Sequence, residues 1–213
     1  MSRPLVRPLT RLAYHDALAR MRAFTAGRDA GTPDEIWLVE HPPVFTLGLA
    51  TRPEHLLATG DIPVVQTERG GQVTYHGPGQ ALAYTLVDLR RHGLMVREFV
   101  RLIEQAVIEV LADLGLTAVR REGAPGVYLS APDRGAGAKI ASIGIKVSRG
   151  CTYHGVALNV AMDLEPFSRI DPCGYPGLAV TDLRSQLGPA TLAMETVATL
   201  LGEKLADLIE GKA

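Results

Sequence analysis

With 213 residues, 46% of them apolar, and a net charge of -1, the chain can bury a large core and has no charge excess for general binding to nucleic acid or a membrane surface. Its two cysteines, Cys151 and Cys173, exclude a disulfide framework and, without a supporting histidine cluster, a zinc site; they fit a reducing cytoplasm. No run of about 18 apolar residues exists, so no membrane-spanning helix is expected, and nothing reads as a linker, so residues 1–213 are read as one domain.

The N-terminal stretch carries Arg3, Arg7, Arg11, Arg20, Arg22 and Arg28 against Asp16 alone, a balance that suggests a transit peptide. Tyr14, Leu18 and Met21 nevertheless recur at i, i+4 and i+7 and read as an amphipathic helix packed on the core, and the absence of an apolar h-region argues against a secretory signal. Strands are expected at 35–39 and 44–47, broken by His41, Pro42 and Pro43, then at 64–66 and 72–74, with a longer, doubly buried one at 81–87. The clearest helix runs from Val96 to Leu114, where Phe99, Val100, Ile103, Val107, Val110 and Leu111 form one stripe before a C-capping Gly115. Short strands at 117–119 and 126–129 follow, then an expected hairpin of 139–147 and 153–160 around Ser148, Arg149, Gly150 and Cys151, and a last helix over 191–209. The fold class is α/β (α+β), a mixed sheet flanked by helices.

Two stretches suit ligand chemistry. From Arg69 to Gln80, five of twelve residues are Gly or Pro, so backbone can come close to a ligand while Arg69 and His76 add polar contacts. The stretch lacks the Lys-Ser/Thr ending of a P-loop and the G-x-G-x-x-G of a dinucleotide site. From Asp171 to Gly177, four of seven residues are Pro or Gly, which makes a shaped loop around Cys173, either an activated nucleophile or an inert thiol. Lys139 opens an otherwise apolar strand and calls for an anionic partner such as a thiolate. Strand alternation would put Lys146, seven residues on, on the opposite face. His154 reads equally as a general base or as a histidine bonded to backbone.

The set Arg69 to Gln80, Lys139 to Gly144, His154 to Asn159 and Asp171 to Gly174, with His41 to Gly48 upstream, resembles the lipoyl(octanoyl) transferases from about Leu38 to Asp182. The resemblance implies transfer of octanoyl from acyl carrier protein to a lysine on lipoyl domains of 2-oxoacid dehydrogenases and of the glycine cleavage H protein, through an acyl-cysteine and with no cofactor, metal or ATP. It assigns Cys173 as nucleophile and Lys139 as its acid/base partner. Substrate contacts fall to Arg69, Gly70, Gly71, Gln72, Val73, Thr74, Tyr75 and His76, to Ser142, Ile143 and Gly144, and to Gly155, Val156 and Ala157. The implied fold is that of the lipoate and biotin protein ligases. An ATP-dependent lipoate ligase and a cysteine thioesterase are the competing readings. For an acidic carrier, the basic patches are residues 1–28 and Arg90, Arg91, Arg97 and Arg101.

Overall fold

The computed structural model describes residues 3–130, 135–172 and 175–211. A seven-stranded sheet runs in the order β1, β2, β6, β10, β9, β8, β7, comprising Leu5–Arg11, Glu35–Glu40, Gln80–Leu86, Cys151–Asn159, Lys139–Ser148, Gly126–Leu129 and Ala118–Val119 respectively. Only β1 and β2 pair parallel; the other pairs are antiparallel, so the sheet is mixed. Beside it lies a small sheet in which β3 (Val44–Leu47) is flanked by β4 (Val64–Gln66) and β5 (Thr74–His76).

Side-chain alternation decides which layer covers which face. On β2 and β6, Ile36, Leu38, Ala81 and Ala83 point to one face, where they meet α2 (Val96–Asp113) and α4 (Met194–Glu210) through Phe99, Ile103, Val107, Leu201 and Leu205. Trp37, Val39, Leu82 and Tyr84 point to the other, against Tyr14, Leu18 and Met21 of α1 (Tyr14–Gly27). Gly115 caps α2 with φ 81° and donates its N–H to the Ala112 carbonyl. A short helix, α3 (Leu183–Leu187), starts at Asp182, whose carboxylate accepts the Ser185 N–H at 2.8 Å. Among the described residues no helix is long and apolar enough to cross a membrane.

The mixed sheet flanked by helices agrees with the expected class, but the sequence pattern gives no sign of β1. Leu5–Arg11 is largely exposed, and its sequence Leu-Val-Arg-Pro-Leu-Thr-Arg does not alternate, so it carries no strand periodicity. It is held as an edge by parallel pairing to β2.

Candidate functional site

A cavity of about 420 Å³ opens against the large sheet, where β6, β9 and β10 form its floor, the loop 69–73 forms one wall, and Tyr14 of α1 and Val96 and Val100 of α2 complete the rim. The size suits a small organic ligand. The glycine loop lies directly on β9: Gly70 donates its N–H to the Ile145 carbonyl at 2.9 Å, and a Cβ on Gly144 would come within 2.9 Å of the Gly70 oxygen. Arg69 turns inward instead of reaching for solvent, donating to the Thr46 carbonyl at 2.7 Å, the Thr46 hydroxyl at 2.9 Å and the Gly70 carbonyl at 3.0 Å. Its fork thus shapes the loop that lines the cavity.

The histidine and tyrosine side chains at the closed end are held neutral beside the Arg69 guanidinium. The Gln80 amide nitrogen donates to Tyr75 O and to Asn159 Oδ1, so Gln80 Oε1 must accept from His76 Nδ1, 2.8 Å away. That fixes the tautomer and leaves His76 Nε2 as an acceptor facing the Thr46 hydroxyl at 3.3 Å. Burial, reinforced by His41, pushes the His76 imidazole down to about 3. Asn159 continues the chain to the Thr181 carbonyl. Burial also raises the Tyr14 phenol to about 12 and the Tyr84 phenol well above its ordinary value.

His154 is a strand residue with φ 63°, a left-handed conformation uncommon inside a strand, although His, like Asn and Asp, adopts it more readily than other non-glycine residues. The turn brings its ring onto the same face as Tyr153, and the two stack with centroids 5.0 Å apart where ordinary alternation would separate them. Its Nε2 is buried with no hydrogen-bond partner among the described residues, so that nitrogen is not bonded to backbone. Burial and the Arg69 charge push it down to about 3.

Lys139 sits at the other end of the cavity, 2% exposed, with Nζ 3.1 Å from the Pro125 carbonyl oxygen and 5.4 Å from the centre of the Tyr128 ring. The pairing of β8 with β9 slips here: Val127 faces Ala141 but Tyr128 faces Lys139. The extra residue, Ile140, lies in the α2 core together with Ala141. This bulge corrects the alternation argument. With one residue inserted, Lys139 and Lys146 fall on the same face, not opposite ones, and Lys146 lies half-buried opposite Tyr153 and outside the cavity lining. Cys173 and Gly174 lie outside the described residues. Of their flanks, Asp171 donates its N–H to the His55 carbonyl, and the returning arm is bonded to the backbone of Lys139 itself, Lys139 N–H to Ala179 O at 2.8 Å and Thr181 N–H to Lys139 O at 2.9 Å. No group of three or more His, Cys, Asp or Glu among the described residues is arranged to hold a metal ion.

Residues 13–206 match the family model described as the lipoyl protein ligase A/B catalytic domain. The chain belongs to this family. An octanoyltransferase of Thiobacillus denitrificans is 60% identical over 180 residues, which cover 84% of this chain and 80% of the relative. Relatives this similar show the protein to be an acyltransferase. The fold of the lipoyl protein ligase A/B family recurs in a lipoate-protein ligase A solved with ATP bound, with TM-score 0.76 at 16% identity over 98% of this chain and 86% of that one. It recurs more distantly in the biotin protein ligase of Aquifex aeolicus, with TM-score 0.56 at 11% identity over 99% of this chain and 71% of that one.

In this member of the lipoyl protein ligase A/B family, Arg69, Gly70, Gly71, Gln72, Val73, Thr74 and His76 line the same cavity as Lys139, Ser142, Ile143, Gly144, Gly155, Val156 and Ala157. Tyr75 is apart from them: on β5 it points away from the cavity into a small core, 5.4 Å from Phe45 and 5.5 Å from Phe167 between ring centroids. Sequence reasoning missed Tyr14, Ala50, Leu82, Tyr84, Val96, Val100 and Ile145 of the lining and the loop 123–125. Leu82 and Tyr84 were legible as one face of a strand; what that face borders was not.

Proposed function

We propose that the protein transfers an octanoyl group from acyl carrier protein to the acceptor lysine of lipoyl domains, through a thioester on Cys173, with Lys139 moving the protons. The observation that carries this reading is the cavity itself: a largely apolar chamber with a buried amine, Lys139, at one end and backbone-lined glycine walls. The name octanoyltransferase carried by relatives such as that of Thiobacillus denitrificans supports the eight-carbon chain.

The chemistry balances without ATP. The Cys173 thiolate attacks the thioester carbonyl, the carrier thiolate departs, and Lys139 gives it a proton; the acceptor amine then gives up a proton to Lys139, attacks the enzyme thioester and returns the Cys173 thiolate. An ordinary thiol of pKa about 8.5 is only a few per cent ionised at neutral pH, and a neighbouring ammonium raises that fraction. Seven acyl carbons beyond the carbonyl, at about 0.8 kcal/mol per buried CH₂, offer on the order of 5 kcal/mol for choosing a medium chain over acetyl. A tetrahedral oxyanion calls for donors, a role open to the backbone N–H groups of the loop after Gly70, whose own N–H is already donated to Ile145.

Incubation with octanoyl carrier protein, followed by intact-mass analysis, tests the proposal. The expected product carries one hydroxylamine-labile octanoyl group that maps to Cys173, and transfer to an apo-lipoyl domain then proceeds without ATP. Full-rate transfer by a Cys173→Ala variant, or a requirement for ATP, would overturn it.

A further inference from the structure

Among the buried charged side chains, Glu104 is one that the reaction described above leaves unused. It lies on α2 at 5% exposure, among apolar neighbours such as Ile103 and Val107, where a carboxylate is costly to bury unless it is paired. One oxygen pairs with Arg120 Nε at 3.1 Å, and the other accepts the Gly126 N–H at 3.2 Å. That N–H belongs to the same peptide group whose carbonyl, on Pro125, accepts from Lys139 Nζ at 3.1 Å. A carboxylate and an ammonium therefore hold opposite ends of one planar amide.

Amide resonance links those two ends. A negative charge at the N–H pushes electron density toward the carbonyl oxygen and makes it a better acceptor for a cation. The backbone is shaped for the contact: Gly126 has φ 140°, and a Cβ there would lie 2.7 Å from both Lys139 Cε and the Ala141 oxygen, so a side chain would evict the lysine. Arg120 is itself fixed by donation to Gln105 Oε1 at 2.7 Å and to the Arg101 carbonyl at 3.1 Å. On the cavity side the Tyr128 ring lies near Lys139, with the Arg121 guanidinium 4.3 Å from its centre.

We propose that Glu104 is a positioning residue for Lys139, acting through the Pro125–Gly126 peptide group. The proposal rests on the reading of Lys139 as the proton-transfer group. Glu104→Gln keeps an oxygen for the Gly126 N–H and removes only the charge. The test is a double-mutant cycle with Lys139→Met, read by the rate at which iodoacetamide alkylates Cys173 near neutral pH and by kcat for octanoyl transfer, with melting curves as a folding control. With Lys139 in place, Glu104→Gln should lower both by about five- to tenfold and leave KM nearly unchanged; added to Lys139→Met it should change neither, because the coupling runs through the lysine. Equal losses in both backgrounds, or none in either, would overturn the role of Glu104 and leave that of Lys139 standing. If Lys139→Met alone alters neither rate, the parent reading fails first. Arg120→Gln serves should Glu104→Gln not fold: it keeps the carboxylate, so both rates should hold or rise, and a fall would mean that loop packing, not charge, is what matters.

Discussion

Gly155 and Gly144 face each other across β10 and β9, yet a methyl group added to each would meet different obstacles. On Gly155 it would run into the Ala83 carbonyl oxygen of β6, well inside contact distance, with the Ala83 and Thr85 backbone close behind. Nothing there is a flexible side-chain end, so the central strands must part, and Gly155→Ala should cost about 3 kcal/mol in urea unfolding. On Gly144 the same methyl meets Gly70 O at 2.9 Å and Arg69 Cδ at 3.1 Å, so a surface loop, and not the centre of the sheet, must shift by a few tenths of an ångström. Gly144→Ala should therefore lose only about 1 kcal/mol, while crowding the cavity wall enough to raise KM for the octanoyl thioester more than for a butyryl one. A uniform KM change across chain lengths would show that Gly144 does not border the acyl path.

At the level of elements, the β9–β10 hairpin sets two local preferences against each other. Arg149 and Gly150 connect the strands with φ of 52° and 83°, the two positive values of a tight hairpin turn for which Asn-Gly is the favoured pair. Arg149 persists there because its guanidinium reaches the C-terminal end of α1, donating to the carbonyls of Thr25 at 3.2 Å and Ala26 at 2.6 Å. A charged donor on such terminal carbonyls contributes about 1.5 kcal/mol or more, whereas the left-handed preference of Asn gains at most about 1 kcal/mol. Arg149→Asn should thus destabilise the protein slightly despite improving the turn, and hydrogen exchange should quicken in the last turn of α1 and not in the hairpin. The same hairpin was visible in the sequence, from two strand-like runs around Ser148, Arg149, Gly150 and Cys151, although Ser148 and Cys151 prove to be paired strand residues and the turn is Arg149-Gly150 alone. The bulge at Ile140 was not, because alternation assumes an unbroken ladder and nothing in residues 139–146 announces the slip against β8.

Over the whole molecule, what could be read from sequence follows the range of the interaction. Val96 to Leu114 and the strands 64–66 and 126–129 agree with the structure to within a residue, because apolar spacing and flanking Gly or Pro encode them locally. The meeting of Tyr14, His41, His76, Tyr84 and His154 at the closed end of the cavity depends on contacts between α1, β6 and β10 far apart in the chain, and only motif resemblance hinted at part of it. That cluster has a consequence for stability. His76 and His154 are buried and neutral, each pushed from 6.5 down to about 3, so below pH 6.5 the unfolded chain takes up protons that the folded one refuses. The stability they permit is complete above 6.5 and is lost as pH falls toward 3, at about 1.4 kcal/mol per pH unit for each histidine. Between pH 6.5 and 4.5 the pair removes about 5 kcal/mol, comparable with the whole margin of many domains. Glu68, held down at about 2 chiefly by its hydrogen bonds from Arg22, starts to contribute only below 4.5, so the upper window belongs to the histidines. Urea midpoints at pH 7, 5.5 and 4.5 should fall steeply, and His154→Asn, which suits the left-handed backbone, should be less stable at pH 7 yet shallower by about 1.4 kcal/mol per unit. A variant slope equal to that of the unaltered protein would mean that His154 already carries a proton in the folded state.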